Sequence, residues 1–123
     1  MKNKEFYLNS YEFISGLINQ IDKISDVLSH VCTSDYREKF NSVRETISLL
    51  NDAIKSFTDK WKNNDEEICK SLETIKEYYT FYQTTLNNSS PSMFARDSKY
   101  IIESLYTSKL ALINKLKKIK DKL

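Results

Sequence analysis

Apolar residues recur along this chain in alternating steps of three and four, the period of a helix with one buried stripe. The first series is Ile14, Leu17, Ile21, Ile24, Leu28 and Val31. Asn9 with Glu12 three residues on has the form of a capping box, and Leu8 and Phe13 hold the positions of a hydrophobic staple, so the first helix is expected to start its first turn at Ser10. A second series runs Tyr36, Phe40, Val43, Ile47, Leu50, Ile54, Phe57 and Trp61. Leu28 and Phe40 hold equivalent stripe positions at a separation that is not a multiple of seven, so the stripe changes face between the two series. A chain reversal at Cys32-Thr33-Ser34, capped by Thr33 or Ser34, accounts for that shift.

A third series comprises Ile68, Leu72, Ile75, Tyr79, Tyr82 and Leu86, preceded by Asn64-Asp65-Glu66-Glu67, which offers a cap and acidic first-turn residues. The preferred reading is a turn at Lys62-Asn63-Asn64. Trp61, Ile68, Ile75 and Tyr82 are also spaced seven apart, so the alternative is one continuous helix over 35–87, about 80 Å long, in a three-helix arrangement. Asn87-Asn88-Ser89-Ser90-Pro91 ends the third helix, with Ser90 as cap and Pro91 at the first position of a fourth. That helix carries a broad stripe of Phe94, Ile101, Leu105, Leu112, Leu116, Ile119 and Leu123, with Ile102, Tyr106, Leu110 and Ile113 beside it. Four helices with short connections predict an all-α, antiparallel up-down-up-down bundle with coiled-coil-like packing.

Composition narrows the class further. One glycine (Gly16), one proline (Pro91) and 29% charged residues leave too few turn residues for a sandwich, barrel or βαβ protein, and 123 residues suffice for one domain, 1–123. Net charge is only +2, but residues 109–123 hold six lysines against Asp121 alone, a local +5 on a body of −3. No secretory signal or apolar run of spanning length is visible. Cys32 and Cys69 lie in no metal-ligand spacing and fall at opposite ends of the expected bundle, about 40 Å apart, beyond disulfide reach. They read as reduced thiols of a cytoplasmic protein. Richness in Lys, Asn and Ile fits an AT-rich genome.

Residues that could do chemistry are few. No Glu-x-x-His pair of the di-iron bundle type occurs, and His30 falls on a face expected to be wet. Cys69, in the first turns of the third helix, reads as a small filler beside Ile68 and Leu72. Asp22 with Asp26, and Glu73 with Glu77, read as solvated pairs. No phosphate loop, dinucleotide, zinc or calcium motif is present, so neither an enzyme activity, a cofactor nor a small-molecule substrate is expected.

Two surfaces invite a binding role. Tyr78 and Phe81 beside the stripe of the third helix, and Tyr106 and Leu110 beside that of the fourth, give more apolar width than one inner face needs; they are the expected contact for another protein or a second copy of the chain. Lys115, Lys118 and Lys122 form a polar row beside Leu112, Leu116 and Ile119, the pattern of a helix lying on an anionic membrane surface, which is the alternative. Nucleic acid fits poorly, with three arginines and no base-reading module. Trp61-Lys62-Asn63 between two helices resembles, at this one motif, the Trp-x-Gly turn of the small helical-hairpin proteins of type VII secretion. Asn63 stands where that family has glycine, and no tyrosine is followed four residues later by Asp or Glu as its export signal requires. The expected bundle with a basic end is also similar to small four-helix bacteriocin immunity proteins, a likeness of fold and not of site.

Overall fold

The computed structural model describes residues 2–30, 36–61, 63–88 and 91–123, apart from the side chains of residues 2, 3, 36, 86, 87, 91, 92, 94 and 95. Four helices follow one another: α1 (Lys2–Ser29), α2 (Tyr36–Trp61), α3 (Glu66–Asn87) and α4 (Pro91–Lys120). The apolar stripes are what bury them. Ile14, Leu17, Ile21, Ile24 and Leu28 of α1, Val43, Ile47, Leu50 and Ile54 of α2, Ile68 to Tyr82 at the expected steps of α3, and Ile101, Leu105, Leu112 and Ile119 of α4 form one hydrophobic cluster.

Contacts at one end fix the direction of each helix. Phe6 of α1 meets Phe57 and Trp61 of α2, and the Tyr7 hydroxyl donates to Asp65 Oδ2, just before α3, while accepting from Lys122 Nζ, just after α4. The start of α1, end of α2, start of α3 and end of α4 therefore share one end of an up-down-up-down bundle. α1 packs most extensively on α4 and α2 on α3; the α1–α2 and α3–α4 pairs are looser.

The break between α2 and α3 is built by named hydrogen bonds. Asn64 N–H donates to the Trp61 carbonyl at 3.0 Å, closing α2, and Asp65 Oδ1 accepts the N–H groups of Glu67 (3.0 Å) and Ile68 (3.3 Å), capping α3. The continuous helix over 35–87 is thus overturned, and the cap is Asp65 itself. The start of α1 also differs from expectation. It begins at Lys2, eight residues before Ser10, because Phe6 and Ser10 extend the buried row inward and Phe6 finds three rings, Tyr7, Phe57 and Trp61, to pack against. Tertiary burial outweighs the local capping box, whose Asn9 and Glu12 lie inside the helix. α4 starts at Pro91 and runs to Lys120, close to the last residue, as expected, but Leu123, counted in its stripe, is exposed. The Cys32-Thr33-Ser34 reversal, the Ser90 cap, Val31, and the side chains of Tyr36, Leu86 and Phe94 lie outside the described residues.

A few polar groups are sealed in this core. Thr58 Oγ1 returns a hydrogen bond to the Ile54 carbonyl, and Asn51 Nδ2 donates to Gln83 Oε1 at 3.2 Å across the α2–α3 pair. The hydroxyl of the fully buried Tyr79 has no hydrogen-bond partner among the described residues, and burial pushes its ionisation far above the usual tyrosine range. An unpartnered buried hydroxyl costs about 1–3 kcal/mol. Tyr79→Phe, which keeps the ring and deletes that oxygen, is therefore expected to raise the urea midpoint of unfolding; a lower midpoint would show that the hydroxyl is satisfied.

Candidate functional site

The α3–α4 seam is lined by small side chains. Ser71 and Thr74 of α3 face Thr107 and Ala111 of α4, over a floor of the core residues Ile75 and Leu112, and together with Tyr78 and Lys115 they enclose a groove of about 270 Å³. Small residues leave the two helices short of knobs to interlock, in keeping with their looser pairing. Large aromatics continue the seam beyond the groove. Tyr78 is 49% and Phe81 54% exposed, and Tyr100 of α4, 56% exposed, stands close enough to Tyr82, as does Tyr78, to disfavour its ionisation. Tyr82 itself is buried, which raises its pKa most, and its hydroxyl shares a hydrogen bond with that of Ser104 across the seam.

The structure brings together only part of the expected protein-binding set. Tyr78 and Phe81 share the α3 flank of the seam. Tyr106 (60% exposed) and Leu110 do not join them: Lys109 reaches Asp22 of α1 at 2.6 Å, so Tyr106, one turn before it, lies on the α1 side of α4, and Leu110 projects from the outer surface. The four residues thus fall on two sides of α4 rather than in one continuous patch. Tyr100, near Tyr82, stands on the α4 side of the seam, and its seven-residue spacing from Thr107 puts it on the same flank.

The lysine row is likewise turned toward α3. Lys115 Nζ lies 2.5 Å and Lys118 Nζ 3.6 Å from the same Glu67 Oε1, and Lys122 Nζ lies 3.6 Å from Asp65 Oδ2 and 5.0 Å from the Tyr7 ring centroid. These groups surround a second cavity of about 260 Å³, floored by Ile68 and Ile119, that adjoins the first at Lys115. Both acids are held below their ordinary pKa. For Asp65, burial pulls upward most, yet the Ile68 N–H, the Tyr7 hydroxyl, the Lys122 charge and the Glu67 N–H together outweigh it; for Glu67 the Lys115 hydrogen bond leads.

Other candidates separate on inspection. His30 Nδ1 sits 2.8 Å from the Asp26 carbonyl and 3.0 Å from Ser29 Oγ, so serine and aspartate crowd one ring nitrogen instead of flanking the imidazole as a catalytic relay requires. Cys69 is a buried free thiol whose pKa burial raises, and its sulfur leans on the Trp61 carbonyl at 3.7 Å. Glu73 and Glu77 face Lys55, Asp59 and Lys76 in an open polar trough between α2 and α3. Among the described residues, no group of three or more His, Cys, Asp or Glu could hold a metal ion, and no helix is long and apolar enough to cross a membrane. Neither the protein-family models, the curated proteins nor the solved structures compared with this chain match it.

The lowered carboxylates set a pH window. Because folding holds Asp65 and Glu67 below their ordinary values of 3.8 and 4.5, their stabilisation is fully present above those values and is lost as pH falls through the lowered folded ones. Asp65→Asn retains a good capping side chain but cannot titrate. Its unfolding midpoint is expected to fall less steeply than that of the wild type as pH drops through 4 toward 2, and parallel curves for the two proteins would contradict this role of Asp65.

Proposed function

We propose that this protein is a binding module without catalytic activity, which takes another protein along the α3–α4 flank. One observation carries the reading: three large aromatics, each about half exposed, gather around the buried Tyr82, with Tyr78 lining the groove of small side chains, Phe81 against the Tyr82 ring and Tyr100 of α4 close to it. Aromatic rings are the side chains that most often anchor protein interfaces, and each offers a large apolar area at little conformational cost. A surface helix needs no such residues for solubility; among the described residues of α2, by comparison, Leu49 is the one large apolar side chain that is exposed. A cytoplasmic site of action fits the free thiol of Cys69.

The anionic-membrane reading draws less support. It requires Lys115, Lys118 and Lys122 to face outward as a row, whereas each lies within ion-pair distance of Glu67 or Asp65. A likeness to immunity proteins would likewise rest on the fold alone.

A photo-reactive benzoylphenylalanine at position 81 is expected to cross-link in cells to a discrete protein, or to a second copy of the chain, while the same residue at position 49, more exposed at 70%, gives none. Equal or absent products from both positions would overturn the proposal. Phe81→Glu should remove the product formed by the same cross-linker placed at position 78 and leave the helical circular dichroism unchanged. Vesicles rich in phosphatidylserine should not sediment the protein at physiological ionic strength; co-sedimentation would favour the membrane reading instead.

A further inference from the structure

α4 carries a second apolar row on its outer side, which the bundle leaves uncovered. Glu103, Tyr106, Leu110, Ile113, Lys117 and Lys120 follow one another in steps of three and four, the spacing of a coiled-coil seam, over about 26 Å at the helical rise. Tyr106 is 60% and Leu110 45% exposed, and Ile113 is only partly buried. The stripe that α4 gives to the core, Ile101, Leu105, Leu112 and Ile119, is complete without them. Lys109, the one charged residue between Tyr106 and Leu110, is drawn off to Asp22 of α1 at 2.6 Å, so the middle of the row holds no unpaired charge.

The two ends of the row have opposite signs. Glu103 closes one end and Lys117 with Lys120 the other, and among the described residues none of the three has an ion-pair partner within the chain. Such a row is complementary to itself in one orientation only. Laid parallel on a second α4, it sets Glu103 against Glu103 and the lysines against the lysines. Laid antiparallel about a two-fold axis between Leu110 and Ile113, it brings Glu103 to the turn of the second copy that holds Lys117 and Lys120, and Lys99, one turn before Glu103, to the level of Asp121. One operation satisfies both ends, and Tyr106, Leu110 and Ile113 of the two copies cover one another in the middle.

We propose that the outer face of α4 is the interface of a symmetric homodimer, in which two copies of this chain pair their fourth helices antiparallel. The aromatic and aliphatic middle supplies affinity by leaving water. The charged ends reject the parallel alignment and set the register. Because Tyr106 lies on the α1 side of α4, this face is separate from the α3–α4 flank and leaves that flank open to a different protein.

The test is sedimentation equilibrium of the full chain in reducing buffer. A mass that rises with concentration from 14.5 kDa toward twice that value is expected. Leu110→Glu, which puts a charge beside the axis in both copies, should weaken association about hundredfold with the helical circular dichroism unchanged, whereas Phe81→Glu should leave the mass as it is. Charge swapping tests the orientation and needs no change in the apolar middle. Glu103→Lys in one variant, and Lys117→Glu with Lys120→Glu in another, should each weaken self-association, because each variant meets its own sign at both ends; mixed in equal amounts, the two should form a heterodimer, since glutamate then meets lysine at both ends. A monomer at every concentration, a dimer that Phe81→Glu dissolves and Leu110→Glu does not, or swapped variants that fail to pair with each other would overturn the proposal.

Discussion

One carboxylate, that of Asp65, holds the architecture in place. It accepts the first free N–H groups of α3, so the helical path from α2 ends where it does, and it meets the Tyr7 hydroxyl of α1 and the Lys122 ammonium beyond α4. The cap stops the chain from continuing as one long rod; the side-chain contacts bring the other two helices to the same end. A cap alone contributes about 1 kcal/mol. Its leverage comes from position, because the α2 and α3 stripes can cover each other only if the chain reverses between Trp61 and Glu66.

Given that turn, the size of side chains decides how evenly the four helices close. Isoleucine and leucine make up most of the single buried cluster, and aromatic rings fill the end where Phe6, Phe57 and Trp61 come together. Between α3 and α4 the residues at the mouth are serine, threonine and alanine, and the bulk has moved outward to Tyr78, Phe81 and Tyr100. Close packing of a protein interior depends on interlocked side chains. Where they are short, the backbone cannot follow them inward past the large residues above and below, and a trough remains.

Much of the bundle was legible in the sequence because steps of three and four are a one-dimensional record of which side is buried. Val43, Ile47, Ile54, Leu72, Ile101 and Leu112 are all sealed, as their spacing requires. What misled was local chemistry that tertiary packing overrides: Asn9 and Glu12 have the form of a cap yet sit inside α1, since Phe6 gains more from three neighbouring rings than the chain gains from stopping. The candidate surface was half legible. Spacing places Tyr78 and Phe81 on the flank of the α3 stripe, but whether Tyr106 lies beside them depends on which neighbour α4 turns each side toward, and that is a property of four helices together. The Lys109–Asp22 pair supplies the answer, and no window of sequence contains both residues. For the same reason Lys115 and Lys118 read as an outward row until Glu67, from another helix, is placed under them.

The preference of α1 for α4 and of α2 for α3 has a consequence for how the chain finds its shape. The α2–α3 pair closes across four residues, 62–65, whereas the α1–α4 pair joins positions as far apart as Tyr7 and Lys122, 115 residues in sequence. Loop-closure entropy grows only logarithmically, so the longer closure costs about 3 kcal/mol more, but it rewards the chain only after everything between has been ordered. The inner hairpin is therefore the natural nucleus. The outer pair acts as its lid, assembled last from the two most distant helices of the chain.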